Sequence, residues 1–135
     1  MQVNKVQNNN PSFGIKISEK FIKAADSLYC DRQKPNQQAF NKIYRKAKYM
    51  EEHYGFDDYT IHLIEEHKDN RLMTSLYAIK DDNAIKDDNA IKVLLTMKDG
   101  LNKVMEKFTH INEYELTKKI NQAEYELTKK INQAE

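Results

Sequence analysis

The stretch from Asn36 to Ile64, NQQAFNKIYRKAKYMEEHYGFDDYTIHLI, changes its hydrophobic period partway along, and that change decides the fold class. Its first half places Phe40, Ile43, Ala47, Met50 and Tyr54 at spacings of 3, 4, 3 and 4, which is one face of an α-helix. Asn36 can cap this helix, and Gly55 stands at the C′ position where glycine commonly closes one. Beyond Gly55 the period is two. Tyr59, Ile61 and Leu63 alternate with Thr60, His62 and Ile64, as a half-buried strand requires.

Lys68-Asp69-Asn70 then reads as a turn, and Leu72, Leu76 and Tyr77 lie in a second strand ending near Ile79. A third strand, Ile91 to Leu95, is richer in aliphatic residues and so expected to be more deeply buried. Thr96-Met97-Lys98-Asp99 has the spacing of a capping box, with Asp in place of Glu, and predicts a helix from Met97 onward. On the N-terminal side, Phe13 to Ile17 alternates as a short strand. Ser18 and Glu19 suit the start of a helix whose face carries Phe21, Ala25 and Leu28, with Ile22 and Tyr29 beside them. Lys34-Pro35 is the expected stop, because a residue preceding proline avoids the α region. The predicted order is β-α-α-β-β-β-α. This is an α+β fold, a small antiparallel sheet packed by a helical hairpin, with a long C-terminal helix.

At 135 residues the chain is long enough for one domain and one modest core. Residues 1–12, rich in Gln and Asn and ending near Pro11, read as a flexible lead-in; 13–112 form the α+β domain; 113–135 form a helical extension. The formal charge of +1 gives no whole-molecule attraction to nucleic acid or membranes, so any such attraction must come from a local patch. No stretch has the length and apolarity of a membrane span, and a lone Cys30 points to a reducing, cytoplasmic setting.

Two perfect duplications stand out. Ala78 to Asn83 recurs as Ala84 to Asn89, with a third copy begun at Ala90-Ile91-Lys92, and Glu113 to Ala123 recurs as Glu124 to Ala134. Both lengths preserve structure. Six residues keep a strand's faces in phase, and eleven make three helical turns at about 3.67 residues each. Either copy of Asp-Asp-Asn can make the hairpin turn, which leaves the register around 78–92 open. The C-terminal stripe runs through Leu116, Ile120, Ala123, Leu127, Ile131 and Ala134. A straight helix from Met97 to Ala134 would be about 57 Å long, whereas a body of this size is only about 35–40 Å across. It must overhang or break, and Thr109-His110-Ile111-Asn112 is the stretch of weakest propensity.

Catalytic and metal chemistry find little support. His62 and His67 are five apart on one strand and so face opposite ways, His53 and His110 are isolated in sequence, and Cys30 has no histidine placed against it. The pairs Asp57-Asp58, Asp81-Asp82 and Asp87-Asp88 lack the alternation and the glycine of a calcium loop, and Gly14, Gly55 and Gly100 form no phosphate cradle. No metal or cofactor is expected, and an enzyme is the less favoured reading. The electrostatic signal is stronger. Arg32, Lys34, Lys42, Arg45, Lys46 and Lys48 fall in a window free of acids between Asp31 and Glu51, with Tyr44 and Tyr49 interleaved. Lys42, Arg45 and Lys46 share a helical face by their i, i+3, i+4 spacing, so Lys42, Arg45, Lys46 and Lys48 form the candidate binding patch.

From 13 to 110 the order and lengths of the elements resemble the RelE/ParE-like toxins, which have a strand, a helical hairpin, a three-strand meander and often a final helix. The resemblance implies an RNA-directed activity carried by basic residues on the last strands, where Arg71 and Lys98 occupy comparable places. Two functions are therefore expected from the sequence. One is a non-enzymatic binding protein that grips a partner, a protein rather than a nucleic acid, through the basic helix or the C-terminal helix, with self-association through the latter. The other is a RelE/ParE-like toxin fold acting on RNA, or an inactive relative.

Overall fold

A computed structural model describes residues 14–80 and 91–134. The lead-in 1–12, Phe13 and the repeated Asp-Asp-Asn turns lie outside the described residues. The elements run β1 (Lys16–Ile17), α1 (Glu19–Tyr29), α2 (Gln37–His53), β2 (Tyr59–Lys68), β3 (Arg71–Lys80), β4 (Lys92–Lys98), α3 (Leu101–Thr109) and α4 (Glu113–Ala134). The fold is α+β with the predicted order. The four strands lie in the order β1-β2-β3-β4.

The sheet is mixed rather than wholly antiparallel, because β1 pairs parallel to β2, Lys16 opposite Thr60 and Ile17 opposite Ile61. The helical hairpin between them carries the chain back so that both strands start at the same end. β2 and β3 form a ten-pair antiparallel hairpin from Tyr59↔Lys80 to Lys68↔Arg71. Its two-residue turn puts Asp69 and Asn70 at φ 52° and 65°, the left-handed conformations that Asp and Asn tolerate and that match the strands' twist. β4 pairs antiparallel with β3 from Thr74↔Lys98 to Ile79↔Lys92, and the register shifts by one residue between Leu76 and Tyr77. Leu95 is the extra residue of this bulge, so Leu95 and Thr96, adjacent in sequence, are both buried.

Three boundaries depart from expectation. α1 ends at Tyr29, short of Lys34, where the Cys30 N–H donates to the Asp26 carbonyl. The next four residues are all exposed and have no apolar side chain to bury, and the Asn36 N–H returns to the Tyr29 carbonyl to open the turn into α2. α2 does not close on a left-handed glycine. Tyr54 turns extended (φ −84°, ψ 135°) to carry its ring into the core, and none of the described glycines has a positive φ. The capping box at Thr96 does not form either. Buried Thr96 stays in β4 opposite Leu76, Gly100 takes the N-cap position of α3 without a side-chain bond, and Asp99 instead accepts from Lys103 at 2.9 Å.

One core joins all these elements. The strands contribute Ile61, Leu63, Leu76, Ala78, Val93 and Leu95; the helices contribute Phe21, Ala25, Ile43, Ala47, Met50, Val104, Met105 and Phe108. The C-terminal helix breaks at His110 to Asn112, as its propensity implied. Ile111 turns into the core there, and the Asn112 side chain caps α4 by accepting from the Glu115 N–H at 2.7 Å. The 113–135 extension is thus anchored at its start, since Leu116 and Ile120 are wholly buried members of the same core.

Candidate functional site

The four basic residues of α2 are not gathered into one patch. The helix buries Ile43, Ala47 and Met50, and Lys46 sits at the margin of that face. Its ammonium turns inward, donating to the Ile111 carbonyl and, at 3.3 Å, to the Tyr54 hydroxyl, and it lies 5.7 Å from the centre of the Tyr54 ring. Burial lowers its pKa. Lys46 is therefore a strut that fixes the α3–α4 break against α2. Lys48 pairs with Glu51 at 3.6 Å and lies over the Tyr44 ring at 5.4 Å. Lys42 and Arg45 stay exposed, and Lys42 lines a shallow cleft with Tyr29, Asn102 and Glu106, where the Tyr29 hydroxyl donates to Asn102 at 2.7 Å.

Arg71 and Lys98 lie toward one end of the sheet, Lys98 opposite Thr74 and Arg71 three residues nearer the hairpin turn. Around Lys98 the fold assembles a group that spacing alone did not reveal: Lys98, Lys103, Lys107 and His110 line a recess of about 290 Å³, with Glu106 the one carboxylate among its lining residues. The hydrogen bond from Lys103, with its charge, and more weakly the charge of Arg71, hold the Asp99 carboxyl below its usual range. Lys103 and Lys107 are an i, i+4 pair legible in the sequence, but only the fold brings the end of β4 beside them.

The C-terminal helix shows a third kind of surface. Its first repeat is docked: Leu116 and Ile120 are fully buried and Lys119 donates to the Leu95 carbonyl at the outer strand β4 at 3.3 Å, and the docking ends on the first residue of the second repeat, Glu124, which accepts from the Tyr59 hydroxyl at 2.7 Å. Its second repeat, of the same sequence, is largely uncovered. Ile131 is 48% exposed and Tyr125 62%, against 0% for Ile120. An open recess of about 600 Å³ runs between the docked repeat and β4, bordered by Lys92, Val93, Leu94, Glu115, Lys118 and Gln122.

Nucleophilic and metal chemistry gain no geometry. Partial desolvation and the neighbouring Asp26 push the Cys30 thiol up, the reverse of what an activated thiolate needs. Among the described residues no group of three or more His, Cys, Asp or Glu side chains could hold a metal ion. None of the helices described is long and apolar enough to cross a membrane.

Burial, followed in each case by a nearby carboxylate, raises the phenols of Tyr29, Tyr54, Tyr59 and Tyr77, and Glu124 acts on Tyr59 by hydrogen bond as well as by charge. An unfolded chain gives up these protons near pH 10, while the native protein holds them to higher pH, most firmly at Tyr59. Stability is therefore complete below about pH 10 and falls above it, by about 1.4 kcal/mol per pH unit for a buried phenol that stays protonated. Lys46, held low, opposes this only up to its ordinary value near 10.5. Denaturant titrations between pH 8 and 11 are expected to show the fall, and Tyr59→Phe is expected to make it shallower. A flat profile to pH 11 would contradict the assignment.

No protein-family model, curated protein or solved structure matches the chain.

Proposed function

We propose that the protein is a non-catalytic interaction protein whose docking element is the far end of its C-terminal helix. The observation that carries this reading is the contrast between Ile120, wholly buried, and Ile131, half-exposed in an identical sequence setting. An apolar stripe continued for three turns past the body that buries its first half is a surface awaiting cover. A cytoplasmic location belongs to the same proposal and rests on the lone Cys30. The test is a truncation after Glu124, which keeps the Tyr59–Glu124 bond, alongside a photo-reactive side chain at position 131. The truncated protein is expected to melt as the parent does and to lose its associations in extracts of the source cell, and position 131 is expected to crosslink to a protein. Unchanged association after truncation would sink the reading.

A second reading, a RelE/ParE-like fold acting on RNA, is favoured by the recess that places Lys98 among Lys103, Lys107 and His110, with Arg71 toward the same end of the sheet. Phosphate contacts of this kind weaken steeply with salt. On this reading labelled RNA binds at low salt, binding is lost on Lys98→Glu with Lys107→Glu, and expression arrests growth in a manner that Arg71→Ala with Lys98→Ala relieves. No binding at low salt would remove it.

A further inference from the structure

We infer that the groove holding residues 113–123 accepts the identical residues 124–134 of a second copy of this chain, so that two molecules exchange their C-terminal helices. The inference rests on the reading of that helix as a docking element and names its partner. The groove's contacts with the first repeat are known one by one: Leu116 and Ile120 fill it, and Lys119 donates to the Leu95 carbonyl. Eleven residues on, the sequence places Leu127, Ile131 and Lys130, and Glu135 follows the second repeat as Glu124, the acceptor of the Tyr59 hydroxyl, follows the first. Eleven residues are three turns at about 3.67 each, so these side chains lie on the same helical face, about 16.5 Å farther along. Whatever the groove recognises in the first repeat, the second offers again.

Geometry makes the second copy the occupant, rather than the chain's own second repeat. For that repeat to enter its own groove, residues 113–123 would have to leave and loop out. The loop would start at Ile111, which is buried and whose carbonyl is held by Lys46 and Tyr54, and it would lose three turns of helical hydrogen bonds. Between two molecules the helix stays continuous. Residues 113–123 become an arm that carries the second repeat across to the other body, and a two-fold axis closes the exchange. Both grooves stay filled. The two arms run antiparallel about a two-fold axis at Lys118. The Leu116 and Ile120 side chains released from the grooves cover one another across the axis.

Three variants of the full chain, followed by sedimentation equilibrium and thermal melting over a range of concentrations, decide the matter. Leu127→Ser with Ile131→Ser is expected to be monomeric with the parent's melting curve. Leu116→Ser with Ile120→Ser is expected to stay folded because the second repeat takes over, to be dimeric where the parent is still largely monomeric, and to melt at a temperature that rises with concentration. All four substitutions together are expected to abolish cooperative melting. The proposal is overturned if the Leu116/Ile120 variant unfolds as the fourfold variant does. It is equally overturned if that variant folds but stays monomeric at every concentration, which would mean that the repeat slips within one chain. Neither result touches the docking reading, which is decided by the crosslinks from position 131 and their loss on truncation.

Discussion

Replacing Gly14 by alanine is expected to lower the thermal midpoint by about 10–15 °C, the equivalent of ~3 kcal/mol in a domain of this size. A methyl group there would be driven into the carbonyl oxygens of Met50 and Tyr54 and would stand 2.9 Å from the carbonyl carbon of Glu51. All three are backbone atoms at the end of α2, so no side chain can rotate aside to relieve the contact. The backbone φ at Gly14 is not positive, so the requirement is for space and not for a left-handed conformation. Alanine's gain from a less flexible unfolded chain, about 0.4–1 kcal/mol, is too small to offset the clash. The close approach has a structural purpose: it lets β1 lie against the α2 terminus, where the Ile17 N–H donates to the Glu51 carboxylate at 3.2 Å, while on its other side β1 pairs with β2 and the Ser18 N–H donates to the Ile61 carbonyl at 3.1 Å. Gly55→Ala is the control, since nothing lies within 4 Å of a methyl group built there. A Gly14→Ala melting curve that overlays the Gly55→Ala curve would refute the packing argument.

The sequence announces what depends on neighbours along the chain and hides what depends on contacts across it. The 3, 4, 3, 4 spacing in α2 and the alternation in β2 appear in the structure with the expected side chains inward, because periodicity is a local property that burial acts on directly. Asp69-Asn70 forms the turn it signals, and the weak helical stretch at Thr109–Asn112 is where the long helix breaks. β1 is harder to read, since a two-residue strand carries too little pattern to reveal that its partner is β2 and parallel. The basic face of α2 illustrates the same limit at the candidate site. The i, i+3, i+4 rule puts Lys42, Arg45 and Lys46 on one side of the helix, yet the Lys46 ammonium is claimed by a carbonyl 65 residues away. Conversely, the cluster at Lys98 draws on a strand end and on a helix that the sequence treats as separate. For the two repeats, spacing correctly continues one apolar stripe, but only the length of the body decides that Ile120 is covered and Ile131 is not.

Phe108→Ala is expected to cost about 3–5 kcal/mol, a large part of the total stability of a domain this size. Phe108 is wholly buried, and its ring lies 4.6 Å from that of Phe21, tilted by 56°, which makes this pair the bolt between α1 and α3. Truncation removes the ring's apolar area from the core and leaves a cavity that the elements around it can only partly close, since α3 also holds Val104 and Met105 in the same core. The tilted pairing adds about 0.5–1.5 kcal/mol beyond area, which a double-mutant cycle with Phe21→Ala isolates as a coupling energy. The effect should also travel to the candidate docking element. Phe108 lies in the last turn of α3, and its carbonyl accepts the Ile111 N–H at 3.2 Å, so the ring fixes the point from which α4 departs. Loosening it is expected to raise hydrogen exchange at Leu116 and Ile120 as well as around the cavity. Tyr114→Ala, at a side chain 77% exposed on α4, is the comparison and should change stability by less than about 0.5 kcal/mol. If Phe108→Ala destabilises the protein while exchange in α4 is unchanged, the α3–α4 break is fixed by Lys46 and Tyr54 alone, and the C-terminal helix is anchored independently of the α1–α3 bolt.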